Sequence, residues 1–271
     1  VKIFKQAFNF YIDSSIHVSL AICALFIISF LRFDLPIDID LLFFVFFASI
    51  TAYNFVKYAG IAKLHHRSLT SQLKVIQVFS LVCFLVLLYL ISLQSRLTLL
   101  ICSILAVFTF LYAVPFLPNK KNLRNLKSLK IFIIAFVWAA VGAFLPWQNL
   151  ESLLQVEVFW LFVQYFLFVV SITLPFELRD LHYDKLALGT IPQKIGVPKT
   201  KRLGMVFLIL VLLIQFLFFK ENWQVDLSLL FICLVASLFL IFSSVKQKKY
   251  FASFWVEALP IFWIILLYSL L

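Results

Sequence analysis

Apolar runs, each about as long as a bilayer-crossing helix of roughly 20 residues, follow one another along this chain with short basic segments between them. A run of that length crosses the hydrocarbon core as a helix, because no water is present there to satisfy the backbone. The hydrophobicity is sustained on all sides, without the alternation of membrane strands, so a helical bundle is predicted rather than a barrel. Nine such runs are legible, near 14–31, 41–59, 75–94, 97–117, 131–147, 157–176, 203–219, 227–245 and 251–271. Composition agrees: 64% of the 271 residues are hydrophobic and 13% charged, too little charge to cover a soluble domain of this size. The expected fold class is an all-α integral membrane protein, a nine-helix bundle forming one domain over 1–271. The first run is long and leads into another, so it reads as a span and not as a cleavable signal.

The net charge of +11 does not point to nucleic acid, because the cations sit in short segments between spans. There they face the anionic leaflet and set topology. Twenty Lys and Arg fall on one set of segments and three (Arg32, Arg96 and Lys220) on the other. The positive-inside rule then puts the N-terminus in the cytoplasm and the C-terminus on the opposite side, as an odd number of spans requires. A bacterial inner membrane is the expected location. Cys23, Cys83, Cys102 and Cys233 all lie inside apolar runs without ligand spacing, and read as small packing residues.

Titratable groups concentrate in the longest cytoplasmic connection, about 177–202. Its first part is Glu177-Leu-Arg-Asp180-Leu-His-Tyr-Asp184-Lys. On a helix Glu177, Asp180 and Asp184 share a face, and stacked carboxylates repel unless a cation lies between them. Mg²⁺ suits such a site, since it is often held by one or two carboxylates together with substrate phosphates. The alternative is a juxtamembrane cluster neutralised by Arg179, Lys185 and His182, against which stands the expectation that Arg179 and Lys185 point to other faces. The sequel, Gly189-Thr-Ile-Pro-Gln-Lys-Ile-Gly196 with Lys199, Lys201 and Arg202, is a turned, basic loop. It suits a diphosphate or serves only as a positive-inside loop.

The run Arg179-Asp-Leu-His-Tyr-Asp184 followed by Gly189-Thr-Ile-Pro-Gln-Lys-Ile-Gly196 resembles the second aspartate-rich motif of the UbiA superfamily of intramembrane prenyltransferases. Tyr112-Ala-Val-Pro115-Phe-Leu-Pro at the end of the fourth run, with the basic stretch after it, is similar as well. The resemblance implies helices ringed around a central cavity, with cytoplasmic caps near 60–74 and 177–202. It also implies transfer of an isoprenyl group from a diphosphate to a lipophilic, commonly aromatic, acceptor with Mg²⁺. Asp180 and Asp184 would then hold the metal, with Glu177 an outer partner. Lys121, Arg124 and Lys194 are candidate diphosphate contacts, and Tyr112 is a candidate cavity aromatic.

The first motif of that family usually reads Asn-Asp-x-x-Asp. The matching stretch here is Tyr53-Asn54-Phe55-Val56-Lys57-Tyr58, which keeps the asparagine and loses both aspartates. Asn54, Lys57 and Tyr58 share one helix face, so Lys57 is expected to meet the diphosphate or to pair with Asp180 or Asp184. The other reading is a lysine snorkelling to the interface. His65 and His66 read as a solvated loop. Inside the membrane, Glu257 is a carboxyl that needs a partner or a function, and Asp13 and His17 read as a structural pair. Two further functions stay open: a non-catalytic relative binding a lipid or quinone, for which the lost aspartates speak, and a transporter, suggested only by helix count and Glu257.

Overall fold

The structure is a computed structural model; it describes residues 2–58, 71–114, 129–181, 189–219 and 223–271. All regular elements among these residues are helical. Seven helices are long and apolar enough to cross a membrane: α3 (Ile39–Tyr58), α4 (Ser71–Ile91), α5 (Arg96–Ala113), α8 (Val156–Asp180), α10 (Val197–Phe218), α11 (Trp223–Phe242) and the last, Phe251–Leu270. The last opens as a π-helix over Phe251–Val256 and continues as α12 (Leu259–Leu270). An eighth crossing is available if α1 (Lys2–Asp13) and α2 (Ile16–Arg32), bent by 53°, count as one span. The apolar helix α6 (Leu129–Phe144) has 16 residues, short of the length that a full crossing asks for. The short helices α7 (Leu150–Leu153) and α9 (Ile191–Ile195) serve as connectors.

The core runs along α2, α6 and α8, where Leu25, Ala139, Tyr165, Phe168 and Trp263 from α12 are buried. Close approach depends on Gly142, where a Cβ would lie 2.9 Å from the Tyr165 ring. The phenol of Tyr165 is fixed there by Ser29 at 3.0 Å and by donation to the Leu25 carbonyl at 3.3 Å. Large apolar side chains on α4, α5, α10 and α11, such as Leu85, Val107, Phe216 and Phe242, point outward, as lipid contact demands.

Polar groups separate to the two ends of the bundle. At one end Arg32 donates to Gln164 (2.7 Å) and to Gln215, and Gln215 donates to Asp226 (2.7 Å). The Arg32 guanidinium also covers the Phe219 ring at 3.7 Å. The other end gathers the termini of α1, α3 and α8 and the start of α6, and carries most of the candidate chemistry.

Candidate functional site

The α1–α2 corner organises one side of this end. Ser14 and Ser15 interrupt the helix, Ser15 with φ 65°, so Asp13 and His17 do not meet as an i, i+4 pair. Instead the His17 ring donates from Nε2 to the Phe254 carbonyl (2.9 Å), and its Nδ1 is hydrogen-bonded to the Tyr11 hydroxyl (2.8 Å). From α3, buried Asn54 accepts from Ser15 (2.8 Å) and donates to the Ser14 carbonyl (3.0 Å) and to Ser80 (2.8 Å). Lys57 donates to the carbonyls of Ile12 (3.2 Å) and Asp13 (3.3 Å), and Tyr58 to that of Asp13 (2.9 Å).

The shared face of Asn54, Lys57 and Tyr58 therefore grips the C-terminal end of α1, where free carbonyls attract donors and cations. The expected pairing of Lys57 with Asp180 is not formed: α1 lies across the end of α3 and supplies those carbonyls first. Among the described residues two of the three donors of Lys57 have partners.

The acidic face lies at the end of α8, past Pro175, whose carbonyl is taken by Gln247 (2.9 Å). Glu177, with 2% side-chain exposure, and Asp180 both meet the Lys130 ammonium at 3.7 Å. They thus share a face, as their spacing predicts. Arg179 does not point elsewhere, as the sequence suggested. Its guanidinium folds back onto Asp180 (Nε to Oδ1 2.7 Å, a second contact at 3.3 Å) while lying 5.3 Å from the Phe176 ring. A flexible side chain one residue away finds the carboxylate because the aromatic ring supports its flat face.

Lys130, at the start of α6, is the site residue that sequence reasoning passed over. Its only signal was its place in the basic stretch after the fourth run. Among the described residues no group of three metal-ligating side chains occurs. The hard oxygen donors of Glu177 and Asp180, already sharing one cation, are chemically suited to Mg²⁺. Asp184, Lys121 and Arg124, with His65, His66, His182 and Lys185, lie outside the described residues.

Lys194 is exposed on α9, which opens with the Gln193 side chain accepting from the Thr190 amide (3.0 Å) and ends at Gly196, φ 79°. The glycine–proline loop thus contains one short helix with a defined start and stop. Tyr112 is buried near the end of α5, and is not among the residues lining the cavity described below. Tyr53 accepts from the Trp138 indole.

Tyr53 links this end to a cavity of about 720 Å³ between α3, α4, α5 and α6. Its lining is almost wholly apolar, with Phe44, Phe55, Phe84 and Phe110 among the walls and Ile91, Leu99 and Leu145 toward the opposite end. That size is typical of a pocket for a small ligand.

Glu257 follows the π-helix, on the last span, and is partly buried.

No protein-family profile and no curated protein matches the chain. Among solved structures it is similar to one of a digeranylgeranylglyceryl phosphate synthase in membranes. The TM-score is 0.56 and the identity 19%, over 98% of this chain and 97% of that one. The likeness extends end to end and establishes a shared helical membrane fold.

Proposed function

We propose that the chain is a UbiA-like prenyltransferase that moves an isoprenyl group from a diphosphate to a lipophilic acceptor within the membrane. The observation that carries this reading is the meeting of two unlike environments. Carboxylates and cations cluster at the end of α8. The helix that brings Lys130 to that cluster, α6, also lines the apolar cavity with Val137 and Val141, and its Trp138 donates to Tyr53 of the cavity wall. An isoprenyl diphosphate has the same division, a doubly phosphorylated head and a hydrocarbon tail. The shared fold adds support, since the similar protein is named for a glyceryl phosphate bearing two geranylgeranyl chains.

In this reading Lys130, Arg179 and Lys57 take diphosphate oxygens by charge-assisted hydrogen bonds, with Lys194, Lys121 and Arg124 as further contacts. Mg²⁺, held by Asp180 and Asp184 with Glu177 beside them, would supply Lewis-acid neutralisation of the leaving group. Charge neutralisation weakens the bond between the isoprenyl carbon and the diphosphate oxygen. The faces of Tyr53, Phe55 and Phe110, with Tyr112 as a further candidate, stabilise the developing allylic cation, and the apolar walls exclude water. The acceptor, an aromatic ring or a hydroxyl, then forms the new bond and releases a proton. The nine-span topology, with the N-terminus cytoplasmic in a bacterial inner membrane, belongs to the same proposal.

A second reading is a lipid or quinone carrier without turnover. It is favoured by one observation, the commitment of Asn54, Lys57 and Tyr58 to the α1–α2 corner.

The test is thermal stabilisation and product formation by purified protein with isoprenyl diphosphates of several lengths, in Mg²⁺ and in EDTA. Stabilisation and transfer that both collapse in Asp180→Asn are expected. Transfer unchanged in Asp180→Asn with Asp184→Asn would sink the site assignment, and stabilisation without transfer would favour the carrier.

A further inference from the structure

The cavity between α3, α4, α5 and α6 is apolar over most of its wall, and no charged side chain is among the described residues that line it. Its hydroxyls fall into two kinds. On α5, Ser103 donates to the Leu99 carbonyl (2.7 Å) and Thr109 to the Leu105 carbonyl (2.9 Å). Both are satisfied by their own helix. The hydroxyls that α3 brings to the wall differ. The Thr51 hydroxyl oxygen is buried and has no hydrogen-bond partner among the described residues. Tyr53 accepts from the Trp138 indole, whose ring it meets edge to face at 6.4 Å, and among the described residues nothing accepts its own hydrogen.

A buried hydroxyl without a partner costs free energy. The helix offers a remedy in the carbonyl four residues back, which Thr51 does not take; an oxygen atom brought by a ligand supplies one instead. At Tyr53 the requirement is narrower. With the indole hydrogen already on its oxygen, the phenol has its own hydrogen to donate, so the ligand atom there must be an acceptor. Thr51 and Tyr53 are two positions apart, about 200° around α3, so each meets a different part of the ligand. The uncharged wall disfavours a carboxylate or a phosphate at this place. Phe55 and Phe110, both in the wall, lie with an interplanar angle of 8° and centroids 6.5 Å apart, which presents parallel faces to a flat ring.

We propose that the cavity binds a neutral lipophile whose ring carries two carbonyl oxygens, a quinone, through hydrogen bonds donated by Tyr53 and Thr51. A ring held at Tyr53 leaves the stretch past Ala48, toward Ile91, Leu99 and Leu145, for a hydrocarbon tail. This goes beyond the prenyltransferase reading and does not need it. Binding alone is at issue: no bond is made or broken, and the same contacts serve a ligand that takes part in transfer or one that is only carried.

The experiment uses the full chain in one detergent and two probes of the same carbon skeleton: menadione, with two ring carbonyls, and 2-methylnaphthalene, with none. Affinities are read by calorimetric titration. Menadione is expected to bind on the order of tenfold more tightly than the hydrocarbon. Tyr53→Phe and Thr51→Val are each expected to cut that preference about threefold, with the affinity for 2-methylnaphthalene kept. A general loosening of the fold would weaken both probes together, so the ratio separates recognition from packing. Thr51→Val conserves shape and decides the matter if Tyr53→Phe, which strands the Trp138 indole, does not fold. An unsubstituted chain without preference for menadione would overturn the proposal. So would a preference unchanged in the folded variants, or an equal weakening of both probes in them. Transfer of an isoprenyl group, present or absent, is a separate readout and does not enter the comparison.

Discussion

At the scale of single residues, Lys130 is the most informative. One ammonium serves two carboxylates a helical turn apart, at 3.7 Å from each, and its removal leaves Glu177 and Asp180 facing each other without that charge between them. Lys130→Met is expected to destabilise the protein by about 1–3 kcal/mol, read as a lowered denaturation midpoint in detergent. Adding Glu177→Gln should return much of the loss, because it removes one of the repelling pair. Additive losses in that double-mutant cycle would disprove the shared-charge account. The spacing of Glu177 and Asp180 was legible from the sequence, since helical period alone puts them on one face. Neither the lysine that joins them nor the return of Arg179 onto its neighbour was legible. Both depend on which flexible cation arrives first, and that is decided by tertiary placement.

At the scale of elements, every apolar run of the sequence corresponds to a helix, because length and hydrophobicity are local properties. What the runs concealed were the departures from regularity. The α1–α2 corner turns at Ser14–Ser15, within an unbroken mixture of apolar and small polar residues that gives no punctuation. The π-turn at Phe251–Val256 carries no proline or glycine; it is drawn out by a histidine more than two hundred positions away in sequence. The first-run pairing of Asp13 with His17 failed for the same reason, since a helical offset holds only where the helix is continuous. Close helix packing offers a firm prediction. Gly142→Ala would push a methyl group to 2.9 Å from a tyrosine ring pinned by two hydrogen bonds. A loss of about 1–3 kcal/mol is expected. Gly204→Ala, whose neighbours at 2.8 Å are the mobile ends of Leu174 and Leu240, should cost less; thermal unfolding of the two variants side by side decides the order.

At the scale of the whole molecule, the cavity between α3 and α6 sets a limit on what can be held. Ile91, Leu99 and Leu145 line its far end, with Ala48 partway along the wall. Ala48→Phe should weaken binding of geranylgeranyl diphosphate about tenfold, equivalent to about 1.4 kcal/mol, and leave geranyl diphosphate nearly unaffected. Equal weakening of both would mean that the tail lies elsewhere. The corner at Ser14–Ser15 has a different consequence, concerning birth rather than function. Its carbonyls are satisfied by Asn54, Lys57 and Tyr58, residues made some forty positions later. A ribosome delivers the first two helices to the membrane before those donors exist. The α1–α2 segment must therefore wait, its bend unsupported, until α3 has been inserted beside it, so insertion has a built-in order in which this corner is finished only after a later helix arrives.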